Sequence, residues 1–280
     1  MTEGGRPTQF ADAYVFDLDG TIFLGGQLLP GAARMVGELR RRRIPVRFLS
    51  NNPTRDAAQY SEKLARLGLP TPASEITNPI ATTVGWLRRH HPDAVVFPIA
   101  EGPLWRALAQ AGIAVSEDPE RIDIVIASYD RGFDYRKLQI AFDAIWFHRR
   151  AFLVQTHPDR FCPYPSGHGE PDAAAITAAI EACSSTTCQA TLGKPNPLML
   201  ATALAGVEVP LERAVMVGDR PATDIAMAQA AGMPSALVLT GEASAADAAA
   251  LDPAPTWVLD RIDKLAPEWA WAQLGWSELG

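Results

Sequence analysis

Short apolar runs alternate along the chain with stretches whose apolar positions recur every three or four residues. The runs at 13–17, 45–49, 95–99, 122–127, 151–155, 213–217, 235–239 and 256–259 carry few polar residues and predict buried strands. Helical spacing predicts helices over 31–42, 55–67, 78–90, 102–111, 135–148, 172–182, 196–205, 222–231 and 261–272, with a short alanine-rich one at 242–251. Asp56 stands near the start of the second helix, and Gly68 is placed to end it. Strands that alternate with helices join through crossovers, so the fold class expected is α/β, a doubly wound parallel sheet with helices on both faces. No internal repeat emerges.

A chain of 280 residues stands at the upper edge of what one hydrophobic core supports, so two domains are expected. The formal net charge of −7 argues against nucleic acid or an anionic membrane as the main partner. The basic run Arg40–Arg43 falls at a helix end, where positive charge suits the helix dipole, and reads as a solvated face. No apolar stretch near the N-terminus could serve as a signal peptide, and no run of 18 apolar residues predicts a membrane span. The expected location is therefore cytoplasmic, with Cys162, Cys183 and Cys188 reduced. Those cysteines form no C-x-x-C pair and the five histidines no H-x-x-x-H pair, so a zinc site has little support.

Candidate chemistry gathers where strands should finish. Asp17 and Asp19 stand two residues apart at the end of the first strand, and Gly20-Thr21 permits a sharp turn that splays them around one reacting group. Such a pair suits covalent catalysis by one carboxylate and proton transfer by the other, with Mg²⁺ between them. The second strand ends in Ser50-Asn51-Asn52, Lys194 sits in a Gly-Lys-Pro-Asn-Pro turn, and a later strand ends in Gly218-Asp219 with Asp224 following. In open α/β sheets ligands bind outside the carboxyl ends of strands. Carboxylates, a hydroxyl and one lysine at such ends describe a phosphoryl-transfer site with a hard cation.

Together these four segments resemble the motifs of the haloacid dehalogenase superfamily of phosphatases, and the details are similar to its NagD-like group. The details are Asp-Leu-Asp-Gly-Thr-Ile-x-x-Gly followed by Leu29-Pro30-Gly31-Ala32, Asn-Asn-x-Thr54-Arg55, and Gly-Asp-Arg-x-x-Thr-Asp-Ile. The resemblance spans roughly residues 13–240. It implies a Rossmann-like catalytic core, 1–78 and 188–280, interrupted by an inserted α/β cap of the larger type at 79–187. It also implies roles. Asp17 would be the nucleophile that forms an aspartyl phosphate, and Asp19 the acid and then the base. Mg²⁺ would be held by Asp17, the Asp19 carbonyl and Asp219, with Asp224 orienting a bound water. Ser50, the Asn51 N–H and Lys194 would bind the phosphoryl oxygens. The expected substrate is a small phosphate monoester, such as a sugar, polyol or nucleoside phosphate, and a homodimer through the cap is a further expectation. A phosphotransferase or phosphomutase would use the same aspartyl phosphate, and a non-catalytic binding module would have no need of all four motifs.

Expectations for the cap concern the leaving group. Asp130, in Ser-Tyr129-Asp130-Arg131, and Asp159, in Thr-His157-Pro-Asp159, stand in segments that resemble those of the branch, with His157 in place of its Asn. His168 and Glu170 follow in a loop, Gly167-His168-Gly169-Glu170-Pro171-Asp172, that leads into a helix. His157 and His168 read equally as surface turn residues or as substrate contacts. Glu170 and Asp172 either satisfy the helix dipole or form an acidic lip that would repel a carboxylate-bearing leaving group.

Overall fold

The computed structural model describes residues 5–164 and 168–277. In chain order its strands are β1 Ala13–Asp17, β2 Phe23–Leu24, β3 Gln27–Leu28, β4 Val46–Leu49, β5 Ile76–Thr77, β6 Val96–Ile99 and β7 Ile124–Ala127. They continue with β8 Phe152–Gln155, β9 Phe161–Pro163, β10 Gly169–Pro171, β11 Ala190–Thr191, β12 Ala214–Gly218, β13 Ser235–Val238 and β14 Trp257–Leu259. The chain packs as two compact units. The first comprises the residues up to Ser50, Tyr60–Ile76 and those from Ala203 onward; the second comprises Asn51–Gln59 and Thr77–Thr202. The stretch 79–187 read from the sequence lies wholly within the second unit, which also takes in 51–59 and 188–202.

The first unit is built on a six-stranded sheet in the order β14-β13-β12-β1-β4-β5. Its central strands pair in parallel. Every side chain of β1 is buried, as the apolar run requires, and fully burying a residue such as Val15 or Phe16 contributes about 1.5–3 kcal/mol. Phe16 stands opposite Val217, and Asp17 opposite Leu49, so β12, β1 and β4 finish side by side. From β1 the chain crosses to β4 on one side, and it later enters β12 on the other. This reversal of direction opens a crevice at the carboxyl ends of the strands.

A second parallel sheet, β11-β8-β7-β6, forms the other unit. Its strands show the period of two that a sheet covered on both faces demands. Val125, Ala127 and Leu153 pack on one face with Ile140, Ile176 and Ile180 of the helices Tyr135–Phe142 and Ala173–Ser184. Ile124, Ile126 and Val154 pack on the other with Leu87 and Leu104 of the helices Pro79–His90 and Gly102–Gln110. Both sheets are therefore of the α/β class expected.

Where the elements differ from expectation, local chemistry explains it. The stretch 261–272 divides into a tight turn, Ile262–Leu265, and a helix, Glu268–Leu274, because Pro267 forbids the helical conformation before it. The helix expected over 135–148 is regular only to Phe142 and continues as a wider turn, Asp143–Phe147. Asp56 and Gln59 cap the helix Ala57–Arg66 reciprocally, each side chain accepting the other's N–H at 2.9 Å, and Gly68 follows with φ +88°. The basic run is paired rather than merely solvated: Arg40 meets Glu75, and both Arg41 and Arg42 meet Glu38. Among the described residues no helix is long and apolar enough to cross a membrane.

Candidate active site

In the first unit, the side-by-side ends of β1 and β12 bring Asp17, Asp219 and Asp224 together. One carboxylate oxygen from each lies within 4.8 Å of the others, and all three residues are buried. Gly20 makes the approach feasible. It adopts φ +89°, and a Cβ there would overlap the Asp219 carboxylate. Gly241 also lies against the Asp219 carboxylate, with the same lack of room for a Cβ. The surrounding backbone orients the acids: the Glu242 N–H donates to Asp219 Oδ2 at 2.8 Å, and the Arg220 N–H to Asp224 Oδ2 at 3.1 Å. The Thr240 hydroxyl ties this loop to the Gly20 carbonyl at 2.7 Å. Three buried carboxylates so close repel one another unless a cation joins them, and an all-oxygen donor set of this kind fits a hard divalent ion such as Mg²⁺.

Asp19 stands apart from that cluster, with a half-exposed side chain. Its neighbour is Lys63, on the helix Ala57–Arg66, whose Nζ is 4.0 Å from Asp19 Oδ1 and 3.5 Å from the centroid of the Phe23 ring. A cation on an aromatic face is held by about 0.5–2 kcal/mol, more as water is excluded. Nothing in the residue pattern singles out Lys63, since a lysine on an amphipathic helix reads as part of the solvated face. Ser50, at the end of β4, is buried and its hydroxyl lies 2.8 Å from that of Tyr60.

Lys194 and Asn51 meet in the second unit. Asn51 Oδ1 accepts the Lys194 N–H at 2.9 Å, while its Nδ2 donates to the Lys194 carbonyl at 3.3 Å and to Asp159 Oδ1 at 3.2 Å. Lys194 is buried, and the bond to Pro195 is cis. Asn51 was expected to act through its backbone N–H; its side chain proves to anchor the lysine turn and Asp159.

The remaining residues expected at the substrate all lie in the second unit. His157 is neither a surface residue nor an open ligand contact. It is buried, with Nδ1 at 2.8 Å from Thr156 Oγ1 and Nε2 at 2.9 Å from Asp172 Oδ1. Asp172 in turn caps the helix Ala173–Ser184, accepting the Ala173 N–H at 2.7 Å. Asp172 therefore takes the helix-cap role and is removed from any acidic lip. Asp130 is buried and bonded to Lys137 Nζ at 2.6 Å and the Gly132 N–H at 2.9 Å.

Glu170 bonds to the Tyr129 hydroxyl and lies 2.7 Å from Arg131 Nε, while Arg131 also reaches Glu101. These donors, Tyr129 first and Arg131 among them, pull the Glu170 carboxyl down to about 2. Burial, and then the bond to Glu170, push the Tyr129 phenol well above its ordinary range. A cavity of about 440 Å³ opens beside this group, lined by Asp130, Arg131, Phe133, Glu170, Pro171 and Ile176 among others. Of its two carboxylates, Glu170 is paired with Arg131 and Asp130 with Lys137. The missed signal was Arg131, two residues after Tyr129, whose guanidinium also lies 4.7 Å from the Tyr129 ring. His168 is exposed and its carbonyl accepts the Tyr164 N–H at 2.7 Å; Gly167 lies outside the described residues.

Two family models match the chain: a haloacid dehalogenase-like hydrolase model over residues 14–114, and a HAD-hydrolase-like model over 191–265. Among curated proteins, the sugar-phosphatase AraL of Bacillus subtilis is 32% identical over 257 residues, which is 91% of this chain and 93% of AraL. Among solved structures, the 4-nitrophenylphosphatase of Thermotoga maritima superposes with a TM-score of 0.85 at 30% identity, covering 91% of this chain and 96% of its own. The glycerol phosphate phosphatase of Mycobacterium tuberculosis, solved in complex with magnesium, superposes with a TM-score of 0.81 at 28% identity, covering 92% of this chain and 77% of its own.

Proposed function

We propose that this chain, which belongs to the haloacid dehalogenase-like hydrolases in the branch of NagD and the 4-nitrophenyl phosphatases, hydrolyses sugar or polyol phosphates with Mg²⁺ through an aspartyl phosphate. The chain is a phosphatase of small phosphates; the metal, the intermediate, the residue roles and the finer substrate class are the proposal. The observation that carries it is the convergence of Asp17, Asp219 and Asp224 within 4.8 Å at the ends of adjacent strands. The sugar-phosphatase and glycerol phosphate phosphatase names of two relatives support the substrate class.

In the first step the Asp17 carboxylate attacks phosphorus, the bond from phosphorus to the leaving oxygen breaks, and Asp19 gives its proton to that oxygen. In the second, water attacks the aspartyl phosphate, its proton passes to Asp19, and phosphate departs from a regenerated Asp17. Ser50 and the Asn51 N–H hold phosphoryl oxygens, and the Lys194 ammonium spreads the charge that develops on them. Mg²⁺, held by Asp17, the Asp19 carbonyl and Asp219 with Asp224 orienting a water, would neutralise the phosphoryl group and limit its repulsion of the nucleophile.

The domain reading belongs to the same proposal: 1–78 and 188–280 carry the chemistry, and the inserted 79–187 selects the leaving group. Self-association through the inserted part is read directly by analytical ultracentrifugation. The test of function is phosphate release over a panel of metabolites, with and without Mg²⁺. Rapid, Mg²⁺-dependent release from sugar or polyol phosphates is expected. Transfer of the phosphoryl group to an added alcohol with little release to water would instead make the protein a phosphotransferase.

A further inference from the structure

Lys63 is placed with more care than a surface lysine needs. Its side chain is only 16% exposed, against 52% for Asp19. The ring it rests on, Phe23, is fully buried and belongs to the residue that brackets Asp19. The Phe23 N–H donates to the Leu18 carbonyl at 3.1 Å, and the Phe23 carbonyl accepts the Gly20 N–H at 2.8 Å. Both chain neighbours of Asp19 are thus bonded to the residue on which the ammonium sits. A lysine seated on a ring is restricted in its rotamers, so the charge has a fixed place relative to Asp19.

We propose that Lys63 is a positioning residue for Asp19, holding its carboxyl group in the orientation from which it hands a proton to the leaving oxygen. The inference rests on the reading of Asp19 as that proton donor. As the bond from phosphorus to the leaving oxygen breaks and the bond to Asp17 forms, the Asp19 proton moves to the leaving oxygen and a carboxylate remains. The Lys63 ammonium keeps its own proton throughout. It attracts the new carboxylate and draws it toward the Phe23 side of the turn.

The test exploits how much protonation each leaving group needs. The constant kcat/KM covers the steps up to departure of the alcohol, and 4-nitrophenolate departs without a proton whereas an alkoxide does not. Lys63→Met retains the aliphatic cover on Phe23 but removes the charge; Lys63→Arg retains the charge. With general acid catalysis contributing on the order of 100-fold or more, Lys63→Met should lower kcat/KM for glycerol phosphate roughly 30-fold and for 4-nitrophenyl phosphate less than about threefold. Lys63→Arg should recover most of the glycerol phosphate rate. Asp19→Asn should show the same split, and adding Lys63→Met to it should cost little more. Equal losses on both esters, or none on either, in a folded Lys63→Met protein would overturn the role of Lys63 alone. A wild type that hydrolyses neither ester would overturn the phosphatase reading and this inference with it.

Discussion

Asn51 grips Lys194 by both backbone groups of the lysine, accepting its N–H at 2.9 Å and donating to its carbonyl at 3.3 Å. An amide is suited to this, since it offers a donor and an acceptor at one tip. The two residues stand 143 positions apart, and the contact fixes the turn that carries the buried lysine. Asn51→Ala should lower kcat by roughly 10- to 100-fold through misplacement of Lys194, and stability by about 1–3 kcal/mol for the polar groups left behind. Steady-state kinetics and urea unfolding check the two effects. Asn51→Asp should be no better, because a carboxylate cannot donate to the Lys194 carbonyl.

Metal dependence should separate the acids. Asp219→Ala should raise the Mg²⁺ concentration needed for half-maximal rate steeply, by about 100-fold, and Asp224→Ala by about 10-fold, as for a ligand and for a group that orients one. Ca²⁺ should inhibit, since its larger and looser shell misplaces the nucleophile. Activity titrated with each ion, after chelation, gives the answer. Full activity in excess chelator would contradict the metal assignment.

The bond between His157 and Asp172 is buried and predicts a stability effect. His157→Ala would leave Asp172 without its imidazole partner beneath the start of the helix Ala173–Ser184. Asp172 keeps the Ala173 N–H, so the expected loss is about 1–3 kcal/mol for the buried bond removed. Thermal or urea unfolding measures it. A loss below about 0.5 kcal/mol would mean that the pair does little in the folded protein.

Glu170 should leave a mark on acid stability. Its carboxyl lies near 2 in the folded protein against 4.5 for an ordinary glutamate. A depressed carboxyl contributes stability that is complete above the ordinary value and lost as the pH falls through the folded one. The protein should therefore lose this contribution between about pH 4.5 and 2, and Glu170→Gln should flatten the melting temperature over that window. Because Arg131 balances Glu170 and Asp172 is buried, Glu170→Gln leaves Arg131 less compensated. It should raise kcat/KM for a carboxylate-bearing ester such as phosphoglycolate relative to glycerol phosphate. Competition between the two substrates reads that ratio.

Much of the frame was legible because buried parallel strands advertise themselves. Runs such as Ala13–Asp17 and Ile124–Ala127 are apolar on both faces, and no amphipathic helix imitates them. The acids at strand ends were legible for the same reason, since a carboxylate that closes an apolar run has few structural uses. The two-residue strands Phe23–Leu24 and Gln27–Leu28 were not, for a pair of residues has no periodicity. Nor were the grip of Asn51 on Lys194 and the seat of Lys63 on Phe23. These depend on long-range placement that a residue's type does not encode. In the second unit, His157 read equally as a surface turn residue or a substrate contact and Asp172 as a helix-dipole or lip residue, and only their pairing reveals why both are buried.

The central claim is that Asp17 is the nucleophile, and turnover by Asp17→Asn tests it most directly. With saturating Mg²⁺ and 4-nitrophenyl phosphate, the account predicts a loss of at least about 1,000-fold in kcat, with the melting temperature and Mg²⁺-dependent substrate binding largely retained. An Asp17→Asn protein that kept a tenth of the wild-type rate, with the wild-type pH dependence, would contradict it.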